Sequence, residues 1–473
     1  MRVPLLATAL HAALASALVL ALLPAASAQS SGDIYAMPDE VLEWAVTDGE
    51  PLELDDAATL DAVRDVQERL SGQAVHDCIA TITQDVPSSY RVMGMPTQEM
   101  FLDRHGNVFS DLGLPSARHH FTEGGPGLVP LGVEQLEGGV NLLGVLPGAD
   151  LTKWIVLGAH YDTREFTFGG GALDNAAGIC SVAELARAFK GHADEHGPLQ
   201  ASLVFAWYDG EEWGLYGAVA FSKDTSVAAE LLGLEPSATP DVLVSQSYDM
   251  PGINYPAKNT WVQYGDPAVA DEYAVLNLRT APIHADNEWT CWSYGCYEDL
   301  KEHPEFQQIR RDNANWQFLM REVAYDVLQL PPQYVWIYDD HYGRSDHIPL
   351  IALGSTGNRV QGSHDKEYPH YHQPTDSLPG IYAITGGTPD GFIAGLETEV
   401  EAGGLPAFYA ALTGGLGGYG DKLYVVDGVS LAPGGADDAG DQPPAADAPL
   451  PPLAALAAVG LALAALRRRA GNA

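Results

Sequence analysis

Histidine and acidic residues stand at or just after the ends of several apolar runs in this 473-residue chain. Five segments carry them, IVLGAHYD, GALDNAAG, AWYDGEEWGLYG, LVSQSYDM and YHQPTDS, and they supply His160, Asp174, Glu211 with Glu212, Asp249 and His372. Imidazole and carboxylate groups are ligands of zinc, and two metal ions about 3.5–4 Å apart can share one bridging carboxylate. Two histidines and three carboxylates suit such a pair and leave Glu211 as a base. We therefore predict a catalytic site with two zinc ions per chain.

The spacing within two of these segments supports the metal interpretation. Asp162 follows His160 by two positions, so its carboxylate could accept from the second ring nitrogen and fix the tautomer of a metal-bound imidazole. Glu211 and Glu212 are adjacent acids at the end of an apolar strand, and burying both requires a compensating cation. A metal pair would provide it. Asp174 on its own has an alternative role, because an aspartate before a helix can cap the helix N terminus without any metal.

The elements that carry these residues predict an α/β fold. TKWIVLGAH, LVFAWYD and DVLVSQSYD are apolar almost throughout, which is typical of buried parallel strands, and NAAGICSVAELARAFK has the apolar spacing of a helix. Such alternation indicates βαβ units, and we expect a three-layer α/β/α sandwich around a mostly parallel mixed sheet, in a single domain. Ligands of such folds bind beyond the carboxyl ends of the strands, where His160, Glu211, Glu212 and Asp249 would lie.

The flanking segments complete this expected domain. Apolar periodicity predicts helices over residues 60–82, 305–328 and 390–412, the last with a break near Gly403 and Gly404. YVWIYDD and IPLIALG are predicted late strands. We expect loops and short elements between residues 93 and 139, and an irregular, aromatic insertion over the site at residues 254–303.

The five motifs together resemble those of the family-28 zinc metallopeptidases. The family pattern runs AH-x-D, GA-x-D-N-x-x-G, a double Glu followed by x-G-L-x-G, D-M, and Y-H-x-x-x-D. This chain has AHYD, GALDNAAG, EEWGLYG, YDM and YHQPTD in the same order, over about residues 141–378. The family includes aminopeptidases, glutamate carboxypeptidase, glutaminyl cyclase and the transferrin receptor ectodomain.

The resemblance implies a role for each residue. Asp174 would bridge two zinc ions, with Glu212 and His372 on one ion and His160 and Asp249 on the other. Glu211 would take a proton from the attacking water and pass it to the leaving amine, while Asp162 would orient His160.

The last motif leaves alternatives open. His370 lies two residues before His372 and could replace it as a ligand, although the position before QPTD favours His372. Gln373 stands where the family usually has Thr, and Pro251 follows the D-M motif where an apolar residue or Gly is usual. Neither departure removes a ligand.

Four further residues lie in or near these motifs. Asp376 could orient His372. RSDHIPL, with Asp346 and His347, matches a family segment near the site, and we expect His347 to line the site or contact substrate rather than bind metal. Tyr342 is a candidate for stabilising an oxyanion.

The ends of the chain indicate export. We predict a signal peptide over 1–28, a leader over 29–50, the peptidase domain over 51–425, a Pro/Ala/Asp-rich linker over 426–449 and an apolar run with a basic end over 450–473. An uncleaved anchor is the alternative for the first segment, and the last would be either a tail anchor or a sorting signal. Each of these alternatives places the enzyme outside the cell or at its surface.

The net charge and the cysteine content of the chain limit which binding partners and which disulfides can be expected. The 63 acidic and 24 basic residues give a formal charge of −39, which argues against a nucleic-acid partner. Cys291 and Cys296 could form a local disulfide in an oxidising compartment. Cys180 occupies an apolar helical position and is predicted to be a buried thiol, and Cys78 could be free or paired.

The sequence thus favours a secreted or surface-anchored zinc exopeptidase, an aminopeptidase acting on the N-termini of peptides or proteins. A glutaminyl-cyclase-like acyltransferase and a carboxypeptidase are the alternatives among enzymes. An inactive receptor-like ectodomain is a third alternative, against which the full set of ligands and the base argue.

Overall fold

An eight-stranded mixed sheet, in the order β1-β2-β4-β3-β5-β8-β6-β7, forms the centre of the computed structural model. Its strands, numbered along the chain, are β1 Ser116–Phe121, β2 Gly139–Leu146, β3 Asp150–His160, β4 Ala201–Tyr208, β5 Asp241–Tyr248, β6 Leu276–Thr280, β7 Val335–Asp339 and β8 Thr356–Gln361. Strands β4, β3, β5 and β8 are parallel neighbours. The pairs β1–β2, β2–β4 and β6–β8 are antiparallel, so the sheet is mixed, as predicted.

The helices, numbered in the same way, are α1 Ala57–Arg69, α2 Gly72–Gln84, α3 Pro96–His105, α4 Val108–Asp111, α5 Gly178–His196, α6 Glu211–Gly214, α7 Tyr216–Lys223, α8 Ser226–Leu231, α9 His347–Leu350, α10 Leu378–Ile384 and α11 Pro389–Thr413. The structure also contains two π-helical turns, Ala172–Ala177 and Val323–Val327, and the 3₁₀ turn Ile351–Leu353. A short antiparallel hairpin joins β9 Tyr424–Val426 to β10 Val429–Leu431.

The structure describes residues 57–85, 89–125, 135–168, 170–253, 276–280, 312, 315–316, 319–320, 322–329, 335–339, 345–353, 355–361, 368–416, 424–426 and 429–431. The chain divides into two compact units, residues 1–434 and 435–473, and all described residues belong to the first. The expected signal peptide, leader and apolar tail lie outside the described residues, as do Tyr342, Cys291 and Cys296. Of the expected linker over 426–449, the structure describes only Val426 and Val429–Leu431, which belong to the strands β9 and β10. Among the described helices, none combines the length and the apolar character needed to span a membrane.

Side chains that alternate along β3 pack against helices on the two faces of the sheet. Ile155 and Leu157 belong to a core shared with α1, α2, α5 and α11, whereas Trp154 and Val156 pack in a second core with α7 and α8. Side chains of successive strand residues point to opposite faces, so both faces of this strand must be apolar. The expected three-layer α/β/α sandwich is confirmed.

The predicted helix over residues 60–82 is two helices. Helix α1 ends at Arg69, and α2 begins after Ser71, whose hydroxyl accepts from the backbone N–H of Ala74 at 3.2 Å. A Cβ at Gly72 would lie 2.3 Å from the carbonyl oxygen of Ile393, so this position must approach α11 without a side chain. Apolar periodicity continues across the break and therefore does not indicate it.

The predicted strand IPLIALG is wrong. These residues form α9 and the 3₁₀ turn that follows it, and the strand β8 starts only at Thr356. Periodicity does not distinguish a short buried helix from a buried strand. Strand β8 was missed because its buried positions include the polar residues Asn358 and Arg359.

The closing helix α11 is continuous, without the expected break at Gly403 and Gly404. A Cβ at Gly403 would lie 2.8 Å from Val360 Cγ2, and one at Gly404 would lie 2.2 Å from Leu185 Cδ2. Both glycines therefore serve close packing against the sheet and α5, not a bend.

The prediction for Cys180 is also wrong, because it forms a disulfide with Cys78, 102 residues away in sequence. The bond joins α2 to α5, whose Cα atoms at these positions are 5.8 Å apart. Such a pairing depends on the packing of two helices, so the spacing of the cysteines could not reveal it.

Within the segment 254–303, residues Leu276–Thr280 form a strand of the main sheet, and the expected insertion otherwise lies outside the described residues.

Candidate metal centre

The candidate site lies at the carboxyl ends of three neighbouring parallel strands. His160 is the last residue of β3, Glu211 and Glu212 open α6 directly after β4, and Asp249 follows β5. Because β3 pairs in parallel with both β4 and β5, these ends meet at one edge of the sheet. The placement expected from the sequence is confirmed for these four residues.

All five predicted ligands come together at this edge, in two groups of three. His160, Asp174 and Asp249 form one group, and Asp174, Glu212 and His372 form the other, with the ligand atoms of each group within 4.8 Å of one another. Asp174 belongs to both groups. Its Oδ1 lies 3.5 Å from His160 Nε2, and its Oδ2 lies 3.3 Å from His372 Nε2, so each carboxylate oxygen faces a different group.

The remaining distances are close to those of ligands around a small cation. His160 Nε2 is 3.6 Å from Asp249 Oδ1, and His372 Nε2 is 3.1 Å from Glu212 Oε2. Two buried oxygens, Asp174 Oδ2 and Glu212 Oε1, accept no hydrogen bond from the described residues. Two imidazoles and three carboxylates match the donors that zinc prefers, so the residues present fit a pair of zinc ions.

Burial of this cluster shifts the pKa values of its members. Burial, together with the charge of Asp174, raises the pKa of Glu212 to about 7. Burial opposes protonation of His372, but Glu212 and Asp174 outweigh it and raise the pKa of that imidazole to about 10. Without a metal, the histidines must therefore carry the positive charge that the carboxylates require. A divalent cation would take over this role.

Glu211 lies beside the two groups without being a member of either. Its Oε2 is 4.0 Å from His160 Nε2. Burial and the neighbouring carboxylates of Asp249 and Glu212 raise the pKa of Glu211 well above its ordinary value, although His160 acts in the opposite direction. An acidic group with a raised pKa next to a metal site is suited to accept and return a proton near neutral pH.

Asp162 contacts both His160 and the turn that carries the glutamates. His160 Nδ1 is 3.2 Å from the backbone oxygen of Asp162 and 3.4 Å from its Oδ1, which agrees with the expected orienting role. The same carboxylate also accepts from the backbone N–H groups of Glu211 at 3.1 Å and Glu212 at 3.3 Å. Sequence reasoning missed this second contact.

Asp376 positions the segment of Asp174 instead of orienting His372. Its carboxylate accepts from the backbone N–H of Leu173 at 2.9 Å and of Asp174 at 3.0 Å, and from the hydroxyl of Tyr368 at 2.7 Å. Burial and the charge of Asp174 raise the pKa of Asp376 to about 7. The carboxylate thus fixes the backbone from which the shared ligand projects.

A fully buried arginine, Arg91, braces the two loops that bear His160 and Asp174. Its guanidinium donates to the carbonyl oxygens of Tyr161 at 2.5 Å, Gly170 at 2.7 Å and Gly171 at 3.2 Å. Burial lowers the pKa of Arg91 to about 10, so the group remains charged at neutral pH. The sequence around Arg91, SSYRVMG, contains no motif that would indicate this role.

Two more arginines reach predicted ligands. Arg359 Nη2 lies 3.0 Å from Asp249 Oδ2, and Arg164 Nε lies 3.4 Å from Glu212 Oε2. Asp249 keeps its other oxygen, Oδ1, towards His160, whereas Glu212 Oε2 contacts both Arg164 and His372. These contacts depend on β8 and on the loop after β3, and sequence reasoning missed them.

The structure distinguishes between the two candidate histidines of the last motif. His370 belongs to neither ligand group, and its Nδ1 is 2.8 Å from the hydroxyl of Thr375. His372 belongs to the second group, which favours it as the ligand.

His347 is buried in α9 beside Asp346, whose pKa is raised well above its ordinary value by burial.

Comparison with known proteins agrees with the motifs. Residues 141–276 match the model of peptidase family M28. Among solved structures, the chain is similar to Legionella pneumophila LapA with 15% identity, covering 77% of this chain and 79% of that one at a TM-score of 0.49. It is similar to BSAP, a zinc aminopeptidase from Bacillus subtilis, with 14% identity, covering 72% of this chain and 95% of that one at a TM-score of 0.48.

A glutaminyl cyclase from Porphyromonas gingivalis is similar as well, with 15% identity, covering 73% of this chain and 99% of that one at a TM-score of 0.46. The match to the family model covers four of the five motifs, from AHYD to YDM. It confirms the resemblance that those motifs indicated: residues 141–276 are similar to peptidase family M28.

Proposed function

We propose that the protein is a two-zinc aminopeptidase that is secreted or held at the cell surface. The observation that carries the proposal is the position of Asp174, whose two carboxylate oxygens face two separate ligand groups. Asp174 would be a ligand shared by the two zinc ions. His160 and Asp249 would complete one set of ligands, and Glu212 and His372 would complete the other.

The chain's own residues would perform the proton transfers. Bound zinc would supply Lewis acidity to the peptide carbonyl and would acidify a water molecule. Glu211 accepts the proton of the attacking water and donates it to the leaving amine. Asp162 keeps Glu211 in place through the backbone of α6 and orients His160 at the same time.

Charge pairing within the site supports action on the amino terminus. Arg359 and Arg164 are paired with Asp249 and Glu212, so their charge is committed to the protein rather than to a substrate carboxylate. Asp346 adds a further buried carboxyl group that interacts with Glu211. Such surroundings favour a cationic amino group over a terminal carboxylate.

The disulfide supports the proposed location. Disulfides form and persist in oxidising compartments and are rare in the cytosol. The bond between Cys78 and Cys180 therefore agrees with export, for which the apolar N-terminal segment is the signal in this proposal.

The activity is tested with the purified chain, stripped of metal with a chelator and then resupplied with Zn²⁺. Three substrates separate the candidate reactions: an aminoacyl-anilide, a peptide with a blocked amino terminus, and a peptide that begins with Gln. The proposal predicts zinc-dependent release of the free aniline from the aminoacyl-anilide and no cleavage of the blocked peptide.

Two other outcomes would contradict the aminopeptidase assignment. Removal of the last residue from the blocked peptide would indicate a carboxypeptidase. Release of ammonia from the Gln peptide, without peptide-bond cleavage, would indicate a glutaminyl-cyclase-like acyltransferase.

A further inference from the structure

A third cluster of metal-ligand side chains lies away from the candidate centre, where α1 meets the C-terminal end of α5. Asp65 of α1 places its Oδ2 2.7 Å from His192 Nδ1 and 3.8 Å from His196 Nε2. One ligand atom from each of the three residues lies within 4.8 Å of the others. Helix α5 starts just after the Asp174 segment, and His192 is about 21 Å further along its axis at 1.5 Å per residue.

The donor set has the chemistry of a zinc ligand sphere. His192 and His196 are four residues apart and therefore share one face of α5, with ring centroids 4.5 Å apart. Two imidazoles and a carboxylate suit zinc and other late first-row metals, whereas calcium and magnesium prefer oxygen ligands alone. Bonds of about 2.0–2.1 Å in a tetrahedron put ligand atoms roughly 3.4 Å apart, between the two distances from Asp65.

In this cluster the side chain of His192 is fixed by packing, whereas the side chain of His196 is open to solvent. The buried ring of His192 packs edge-on against Phe408 at 4.9 Å, which fixes its orientation. The side chain of His196 is 55% exposed, so a metal could enter from solvent and keep a water ligand. The C-terminal end of α5 adds partial negative charge from its last carbonyl groups, which favours a cation.

Arg69 competes with a metal for the same carboxylate. It donates from Nε to Asp65 Oδ2 at 2.8 Å and from Nη2 to Oδ1 at 3.0 Å, and its Nη2 also reaches Glu195 at 2.7 Å. A metal on Oδ2 would have to displace the Nε contact, while the Nη2 contacts could remain. The positive charge of Arg69 would therefore weaken metal binding at this cluster.

We propose that Asp65, His192 and His196 form a zinc site that joins α1 to the end of α5. The disulfide joins α2 to the beginning of the same helix, so α5 is held at both ends. This site is separate from the candidate centre and does not depend on the proposed function.

The first test counts zinc ions in the full chain. Wild type and His196→Ala are stripped with a chelator, dialysed against the same free Zn²⁺ concentration and measured by atomic emission. His120→Ala, which removes an exposed histidine of β1, is the matched control. We expect one zinc fewer per chain in His196→Ala than in wild type and His120→Ala. Equal zinc content in all three would overturn the proposal.

The second test uses the opposing charge of Arg69. In the Asp174→Ala background, which removes the ligand shared by the two catalytic groups, calorimetric titration with Zn²⁺ should show one remaining site. Arg69→Gln should lower its Kd severalfold, and His196→Ala should raise it by at least about tenfold. A residual site that responds to neither change, or weaker binding in Arg69→Gln, would contradict the assignment.

The two tests separate this site from the catalytic one. If the candidate centre binds no zinc, the difference of one ion between wild type and His196→Ala still remains. If the third site is absent, the loss of this difference leaves the catalytic zinc ions in place.

Discussion

The carboxylate of Asp162 accepts a hydrogen bond from the backbone N–H of Glu211 at 3.1 Å, while the backbone oxygen of Asp162 lies 3.2 Å from His160 Nδ1. One residue thus connects the proposed base to a proposed ligand. An aspartate two positions after a histidine is expected to orient the imidazole. Its contact with the opening turn of α6 additionally fixes the backbone from which Glu211 and Glu212 project.

Replacing Asp162 with Asn should impair the site without unfolding the protein. The amide keeps one acceptor oxygen but loses the charge that holds both N–H groups and the imidazole, so we expect kcat or zinc affinity to fall by about 10–100-fold. Steady-state kinetics and zinc content measure the two effects. Asp111→Asn, an exposed change on α4, is the control. Unchanged kcat and zinc content in Asp162→Asn would show that the contact is dispensable.

Arg91→Ala should lower the stability of the fold and of the site together. The substitution leaves the buried carbonyl oxygens of Tyr161, Gly170 and Gly171 without their donor, and each unsatisfied buried group costs about 1–3 kcal/mol. We expect the free energy of unfolding to fall by several kcal/mol in denaturant titrations, more than for the exposed Arg64→Ala. Equal stability of the two variants would refute the bracing role.

Removing the disulfide should destabilise the chain through its unfolded state. A crosslink that closes a loop of about 100 residues contributes about 4.7 kcal/mol in the chain-entropy model, and the two cysteines are 102 residues apart. The double variant Cys78→Ser/Cys180→Ser should therefore unfold at lower denaturant concentration than the oxidised wild type. The reduced wild type should behave like the double variant. A midpoint insensitive to both treatments would mean that the bond is not formed in solution.

Zinc affinity should rise with pH. Zinc must displace a proton from His372, whose pKa in the metal-free protein is raised to about 10, and below pH 7 also from Glu212, whose pKa is about 7. Between pH 7 and 9, His372 alone predicts about a tenfold gain in affinity per pH unit, because one proton leaves for each ion bound. Competition with a chelator of known affinity at pH 7 and 8 measures this gain. An affinity that does not change with pH would exclude proton displacement.

The proposed ligands could be predicted from the sequence because each is local to a strand end or to a short motif. His160, Asp174 and Asp249 need no knowledge of distant contacts once the parallel strands are recognised. Arg91 could not be predicted, since its role arises from loops 70 to 80 residues away along the chain.

The same reason explains the errors in the fold. The disulfide between Cys78 and Cys180 depends on the packing of α2 against α5. Strand β8 was missed because the ion pair of Arg359 with Asp249 places a charged residue in the interior of the sheet. Both features depend on contacts between segments that are distant in sequence. Hydrophobic periodicity does not predict such contacts.

The most direct test of the central claim is the activity of Glu211→Gln at full zinc occupancy. Gln keeps the size of the side chain but cannot accept the proton of water, and loss of a general base typically costs about 10²–10⁴-fold in rate. The exposed Glu230→Gln on α8 is the matched control. The proposed mechanism predicts that kcat for aminoacyl-anilide hydrolysis falls by this factor in Glu211→Gln, with the same zinc content as in wild type and Glu230→Gln. Wild-type kcat in the zinc-loaded Glu211→Gln variant would contradict it.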